Sequence, residues 1–194
     1  MSKLHAVKVQ PDTLHAPKRL DIGCGQNKQP AFKGIDLTGD ADIIHDLFVT
    51  PWPIKGSSVT EVFCSHFVEH IPHYLPHFQG EDGWWVFFEE LYRVMRKGGS
   101  ARFIHPYCQS GRAFWDPTHV RFISEVTWNY LDKGWRVANG IDHYVPDVDF
   151  EIVTVSMNGI PDDIASRNEE FKMRSLSRDW NVIMDLDVVL RVRK

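Results

Sequence analysis

Short apolar runs that end at glycine or polar turns recur through the first half of the chain. Leu20 and Ile22 come directly before two glycines, and residues 59–64 are rich in β-branched side chains, which is typical of buried strands. Residues 84–96 instead place large apolar side chains at helical spacing, and Gly98 and Gly99 follow as a stop signal. The pattern predicts strands that alternate with a helix packed on a sheet.

The second half of the chain continues this pattern. Residues 101–105 are predicted as a fifth strand, and residues 150–155 and 182–190 as two late strands. This order predicts an α/β, Rossmann-like, doubly wound sheet of three layers, mostly parallel and closed by a terminal antiparallel hairpin that residues 159–180 interrupt. We expect a tail over residues 1–17 and a single domain over residues 18–194, because a chain of 194 residues that is 43% hydrophobic needs no second core.

The turn after the first strand carries the strongest chemical signal. Gly23 and Gly25 lie one residue apart, where the backbone must approach a ligand too closely for a side chain. Asp36 ends the next apolar stretch, where its two carboxylate oxygens can accept both hydroxyls of a ribose. These residues predict a site for an adenosine-containing cofactor at the carboxyl ends of adjacent strands.

The glycine pattern narrows the choice among adenosine-containing cofactors. A dinucleotide fold needs G-x-G-x-x-G/A, but Lys28 stands at the third position, and Asp36 comes too early for the ribose acid of such a fold. The stretch from Asp21 to Gly25 instead resembles the D/E-x-G-x-G motif of class I S-adenosylmethionine-dependent methyltransferases. Four further segments resemble later motifs of that family in the same order: D-I-I-H-D-L at 42–47, P-W-P-I at 51–54, S-H-F-V-E-H at 65–70 and L-Y-R-V-M-R-K-G-G at 91–99.

The resemblance implies S-adenosylmethionine as the cofactor and methyl transfer to an oxygen or nitrogen acceptor as the activity. It implies no resident metal. The residues that match the cofactor-binding motifs of the family are Asp21, Gly23, Cys24, Gly25, Asp36, Leu37, Asp46, Leu47, Ser65 and His66.

Residues 105–147 and 159–180 are predicted to select the acceptor, because loops at the carboxyl edge of such a sheet carry the site. The first segment contains D-P-T-H at 116–119, which resembles a segment of some uncharacterised methyltransferase-like proteins. His119 and His105 are candidate general bases, since imidazole titrates near neutral pH, and Asp116 is a third catalytic candidate. The alternative for Asp116 is the cap of a helix that begins at Pro117.

Composition limits the partners and the location. The net charge of −4 gives no general attraction to nucleic acid, and residues 65–68 lack the acid-or-Asn-Pro-Pro-aromatic motif of amino-methylating DNA enzymes. We therefore expect a small molecule, a sugar derivative or a protein as the acceptor, without predicting an oligomeric state. Three widely spaced cysteines, no signal-peptide pattern and no stretch long enough to cross a membrane predict a cytoplasmic protein.

Two other functions remain open at this stage. His66, Glu69 and His70 match H-x-x-E-H, the inverted zinc-protease motif, although Pro72 and Pro76 deny that motif the long helix it needs. A domain that binds S-adenosylmethionine without transferring its methyl group would carry the same cofactor motifs.

Overall fold

The computed structural model describes residues 14–75, 81–144 and 146–194. Most of the predicted tail, as residues 1–13, lies outside the described residues. The strands are β1 (Arg19–Ile22), β2 (Lys33–Asp36), β3 (Ile43–Ile44), β4 (Val59–Ser65), β5 (Met95–Pro106), β6 (Phe150–Asn158) and β7 (Asp185–Val192). The α-helices are α1 (Gly83–Val94), α2 (Arg112–Trp115), α3 (Lys133–Ala138), α4 (Asp162–Ala165) and α5 (Glu169–Arg178), and 3-10 turns cover Val68–His70, Glu125–Leu131 and Asp142–Tyr144.

The seven strands form one mixed sheet in the order β3-β2-β1-β4-β5-β7-β6. The pairs among β3, β2, β1, β4 and β5 are parallel, and β7 runs antiparallel to both β5 and β6. Helices α4 and α5 lie between β6 and β7 in the chain. The predicted sheet, mostly parallel with an interrupted antiparallel hairpin at its end, is therefore confirmed.

Helix α1 supplies much of the core on one face of the sheet. Asp82 caps the helix by accepting a hydrogen bond from the Trp84 backbone N–H at 2.8 Å. Phe87 and Phe88 on its inner face are fully buried. The helix ends at Val94 and β5 begins at the next residue, so the prediction that the helix continues to residue 96 is wrong. The reason is tertiary, because Met95 pairs with Val59 of β4.

The first three crossovers are where the structure differs from a fully doubly wound sheet. All residues between β1 and β4 are described, and none of them is helical. Within the motif-like segment 42–47, only the two residues of β3 are in a strand. On the face opposite α1, β4, β5 and β7 carry exposed charges, including the ion pair between Arg102 and Asp187 at 2.6 Å.

The segment between β5 and β6 folds as short helical turns around one buried cation. The Arg136 guanidinium is fully buried and donates to Asp142 Oδ1 at 2.9 Å, to the Tyr130 carbonyl at 3.0 Å and to the Val148 carbonyl at 2.9 Å. These bonds join the middle of the segment, at Tyr130, to its end, at Val148. Among the described residues, no helix is long and apolar enough to span a membrane.

Candidate functional site

The turn after β1 is held in a conformation that favours glycine. Gly23 has φ +65° and Gly25 has φ +50°, both in the left-handed region. A Cβ added to Gly23 would lie 2.5 Å from Cδ2 of Phe67, whereas a Cβ added to Gly25 would meet no atom within 4 Å. Gly23 therefore allows an aromatic ring to pack on the turn, and Gly25 borders open space.

The turn is tied to β2 through carboxylates. Asp36 Oδ2 accepts from the Gly25 backbone N–H at 2.9 Å, and its Oδ1 accepts from the Thr38 N–H at 3.1 Å. Asp21 is buried and accepts from the Gln29 N–H at 2.7 Å. Burial raises the pKa of Asp21, and the bond from Gln29 opposes that rise. The predicted site residues Asp21, Gly25 and Asp36 thus hold one loop between two strands.

The remaining predicted cofactor residues belong to the same turn or follow the carboxyl ends of neighbouring strands. Cys24, within the glycine turn, is buried, and its Sγ would lie 2.6 Å from a Cβ added to Gly34. Leu37 comes directly after β2 and its side chain is 68% exposed, whereas Leu47 is buried. Asp46 accepts from the Phe48 N–H at 2.9 Å.

Ser65 is the last residue of β4, and His66 follows it with φ +53°. Because β1, β2, β3 and β4 are parallel, their carboxyl ends share one edge of the sheet. All ten predicted cofactor residues lie on β1, β2 or β4 or in the segments that follow β1, β2, β3 and β4.

Asp42, which directly precedes β3, holds the loop after β1 against β2, and no motif in the sequence indicated this contact. Its carboxylate accepts from the Gly34 N–H at 2.8 Å and from the ammonium groups of Lys28 at 2.7 Å and Lys33 at 3.0 Å. The bonds from Lys28, from the backbone of Gly34 and from Lys33 hold the pKa of Asp42 well below its usual range. The lysine at the third motif position, which argued against a dinucleotide fold, is the signal that could have found this contact.

The surroundings of His105 do not fit its predicted role as a general base. The ring is fully buried, and its Nδ1 donates to the Pro106 carbonyl at 2.9 Å while its Nε2 accepts from the Trp128 indole at 3.2 Å. Burial also lowers the pKa of His105. Because both ring nitrogens are occupied by protein groups, the structure does not support His105 as a general base.

The structure also corrects the alternative prediction for Asp116. The chain from Pro117 is not helical, so the alternative that Asp116 caps a helix there is wrong. Asp116 instead ends α2, and its Oδ1 accepts from the Thr118 N–H at 2.8 Å and from the Thr118 hydroxyl at 2.6 Å. These bonds lower the pKa of Asp116. They also place Thr118 Oγ1 3.0 Å from Nδ1 of His70.

His119 lies beside the segment that follows β4. The backbone N–H groups of Val120 and Arg121 donate to the Glu69 carbonyl at 3.0 Å and 3.1 Å, which joins the two segments. As a result, ligand atoms of Glu69, His70 and His119 lie within 4.8 Å of one another. His66 also approaches this group, with Nδ1 3.4 Å from Glu69 Oε1, and the Glu69 carboxylate raises the pKa of His66.

The H-x-x-E-H match does not form a protease helix. Its last three residues, Val68–His70, form a single 3-10 turn, as the nearby prolines predict. The residue that joins Glu69 and His70 in the cluster of potential metal ligands is His119, not His66. The inverted zinc-protease arrangement is therefore absent from this described part of the chain.

Exposed aromatic side chains surround α2. Phe114 stacks on Phe122 with ring centroids 4.5 Å apart, and it lies 5.9 Å from the Trp180 ring. Trp115 is 75% exposed. Tyr107 is instead buried, and burial raises its pKa to about 12. Tyr107 therefore belongs to the core, whereas Phe114 and Trp115 face solvent.

A cavity of about 230 Å³ lies between the start of α1 and residues 121–130. Its lining includes His73, Trp84, Arg121 and Tyr130, and none of the predicted cofactor residues. Arg121 donates to the carbonyl groups of Ile71 at 2.6 Å and Pro72 at 2.8 Å, which fixes the wall of the cavity on the side of the β4–α1 loop.

Comparison with known proteins shows which solved structures share the fold of this chain. No protein-family model and no curated protein matches the chain. Among solved structures, the chain is similar to a putative methyltransferase from Bacillus halodurans C-125, with 15% identity over 93% of this chain and 95% of that chain and a TM-score of 0.53. A SAM dependent methyltransferase from Archaeoglobus fulgidus is similar at 17% identity over 93% and 88% of the two chains, with a TM-score of 0.53.

Geranyl diphosphate C-methyltransferase from Streptomyces coelicolor A3(2), solved with Mg²⁺, geranyl diphosphate and S-adenosyl-L-homocysteine, is similar at 13% identity over 93% and 77% of the two chains, with a TM-score of 0.52. At these identities the likeness shows a Rossmann-like methyltransferase fold for this chain.

Proposed function

We propose that the protein is an S-adenosylmethionine-dependent methyltransferase whose acceptor is an oxygen or nitrogen atom of a small molecule, a sugar derivative or a protein. The observation that carries the proposal is the left-handed glycine turn after β1, tied to Asp36 at the end of β2. Such a turn exposes backbone to a ligand, and Asp36 offers carboxylate oxygens beside it. The fold shared with solved methyltransferases supports the same cofactor.

The residues of the turn fit an adenosine-containing group. The space in front of Gly25 is open to 4 Å, as a cradle for a ligand requires. Asp36 would accept the ribose hydroxyls, because an ionised carboxylate has about four acceptor positions and only two backbone N–H bonds are seen here. The exposed Leu37 would offer apolar contact next to it. When bound, S-adenosylmethionine would supply an activated methyl group on a sulfonium sulfur.

The protein's own task is then alignment and the exclusion of water. Holding an acceptor lone pair behind a methyl carbon can lower the barrier by about 7–11 kcal/mol through proximity alone. We assign the acceptor to the side formed by residues 105–147, where Asp116 and His119 lie. Removal of an acceptor proton would fall to a group on this side. His105 is not that group, because its ring nitrogens are engaged.

Calorimetry with S-adenosylhomocysteine tests the cofactor. We expect binding and a raised melting temperature with this ligand and neither with NAD, because a ligand that binds only the folded state stabilises it. Asp36→Ala should weaken binding by a few kcal/mol at most. Asp40→Ala, which removes an exposed carboxylate between β2 and β3, should not weaken it. Stabilisation by NAD alone, or equal affinity of the Asp36 and Asp40 variants, would refute the assignment.

The second candidate is a domain that binds the cofactor without transferring the methyl group. It would pass every binding test above. Release of S-adenosylhomocysteine from S-adenosylmethionine, measured against a panel of hydroxylated, sugar, amine and peptide acceptors, separates the two functions. An acceptor that accelerates this release establishes the enzyme.

A further inference from the structure

Three potential metal ligands from two distant segments converge next to the proposed donor site. Glu69 and His70 end the 3-10 turn after β4, and His119 comes from the loop after α2. Their ligand atoms lie within 4.8 Å of one another, and the two imidazole rings meet edge to face with centroids 4.7 Å apart. Phe67, two residues before Glu69, packs against Gly23 of the glycine turn.

Hydrogen bonds determine which imidazole nitrogen of His70 and of His119 carries the proton and which is available to a metal ion. A carbonyl oxygen can only accept, so the 3.1 Å contact between His119 Nδ1 and the Ala113 carbonyl places the proton on Nδ1. The Thr118 hydroxyl gives its proton to Asp116 at 2.6 Å, so its oxygen accepts from His70 Nδ1 at 3.0 Å. In the neutral imidazole form, which a metal ligand must have, both histidines therefore carry their lone pair on Nε2, and a carbonyl or hydroxyl oxygen accepts from the Nδ1–H of each ring, as at known metal sites.

The Glu69 side chain gives evidence for a bound cation that is independent of the two histidine rings. Its side chain is 2% exposed, and neither carboxylate oxygen has a hydrogen-bond partner. The nearest nitrogens are His66 Nδ1 at 3.4 Å and His119 Nε2 at 3.9 Å, both longer than the 2.7–2.9 Å or so of a charge-assisted hydrogen bond. A buried carboxylate without partners is costly unless a cation compensates it.

We propose that Glu69, His70 and His119 bind one divalent transition-metal ion through a carboxylate oxygen and two imidazole Nε2 atoms. Two imidazoles and one carboxylate suit Zn²⁺ or Fe²⁺ and do not suit Mg²⁺ or Ca²⁺, which prefer oxygen ligands. Ligand atoms about 2.0–2.1 Å from a tetrahedral ion lie about 3.3 Å from one another, so the three side chains need only shift inward by less than about 1 Å each.

Three protein ligands leave a coordination position open, as in catalytic and not structural zinc sites. Water or an oxygen of an incoming molecule can occupy that position. The inference replaces the sequence prediction of no resident metal, and it also differs from the H-x-x-E-H arrangement because His119 takes the place of His66. It does not depend on methyl transfer, since the ion would bind whether or not the cofactor does.

Titration of the full-length, chelator-treated protein with Zn²⁺ tests the site. We expect one Zn²⁺ per chain and a raised melting temperature. Glu69→Gln and His119→Ala should each weaken Zn²⁺ binding by about 100-fold or more. Thr118→Val, which removes the group behind His70, should weaken binding by about 10–100-fold. The matched control is His73→Ala, which removes an exposed imidazole bonded to the Val120 carbonyl and should leave Zn²⁺ affinity unchanged.

A second measurement guards against variants that merely fail to fold. Without metal, Glu69→Gln should melt at a higher temperature than the parent, because it removes a buried charge that has no hydrogen-bond partner, and added Zn²⁺ should no longer raise its melting temperature. Co²⁺ should give the visible absorption of a four-coordinate site in the parent and lose it in His119→Ala. Substoichiometric Zn²⁺, or equal Zn²⁺ affinities for Glu69→Gln, His119→Ala and His73→Ala, would overturn the proposal. Failure here would leave binding of S-adenosylhomocysteine unaffected.

Discussion

Replacing each of the two left-handed glycines by alanine should produce different losses of stability. A left-handed conformation costs an alanine about 1–2 kcal/mol, and Gly25→Ala should cost no more than this because its Cβ meets open space. Gly23→Ala has the same conformational cost and also places a methyl group 2.5 Å from the Phe67 ring. Carbon atoms in ordinary contact lie about 3.5–4.0 Å apart, so the ring must move by at least about 1 Å.

The surroundings of Phe67 resist that movement. Its ring stacks on Phe48 with centroids 5.9 Å apart and packs on Phe87 at 5.7 Å. Overpacking of this kind costs about 1–3 kcal/mol, which brings the expected loss for Gly23→Ala to about 2–5 kcal/mol of unfolding free energy.

Urea unfolding of both single variants measures the difference, and Phe67→Ala should cost less in the Gly23→Ala background than in the parent, by the overpacking part. Equal losses for the two glycine variants, or an equal cost of Phe67→Ala in both backgrounds, would refute the argument. The same pair should separate stability from binding. Gly25→Ala is expected to stay folded yet lose at least tenfold in S-adenosylhomocysteine affinity, because its methyl group enters the proposed cradle.

Three further outcomes follow from buried or charged groups. Burial lowers the pKa of His105, so below pH 6.5 the unfolded chain binds more protons than the folded protein; stability to urea should fall as pH drops through 6.5, and less so in His105→Gln. Arg136→Met should cost about 3–5 kcal/mol in urea unfolding, because it leaves Asp142 and two carbonyl groups without their donor. Asp42 has a pKa below its usual range, so Asp42→Asn should destabilise the protein at pH 7, with the difference from the parent beginning to shrink as pH falls below 3.8 and vanishing only below the lowered pKa of Asp42.

The arrangement of the proposed donor side could be predicted from the sequence because its residues lie close together in the chain. The turn from Asp21 to Gly25 and the acid at Asp36 are close in sequence, and parallel pairing of β1 with β2 brings them together by a short connection. Secondary-structure boundaries were less predictable. Arg96 and Lys97 look like the last turn of a helix, but strand pairing with β4 extends β5 back to Met95 and overrides that preference.

The proposed acceptor side depends on contacts that no local sequence pattern encodes. The sequence indicated His119 and the Glu69–His70 pair separately, and nothing in either segment shows that they meet. They meet because the Glu69 carbonyl accepts two N–H groups of the 119–121 loop, a pairing between irregular segments that has no periodic signature. His105 shows a similar dependence on distant residues. The sequence suggested it as a general base because imidazole titrates near neutral pH, but the Trp128 indole, from a 3-10 turn that the sequence did not predict, donates to its Nε2.

The same contrast explains why the proposed donor and metal sites can be tested apart. Asp36 and the glycine turn are held by bonds among β1, β2 and the loop between them, while Glu69, His70 and His119 are held by the loops after β4 and α2. Phe67 is the described side chain that follows β4 and contacts the glycine turn. A substitution at His119 should therefore change metal binding without moving the cofactor turn, and a substitution at Asp36 should do the reverse, because the hydrogen bonds described for His119 and for the Asp36 carboxylate go to different residues.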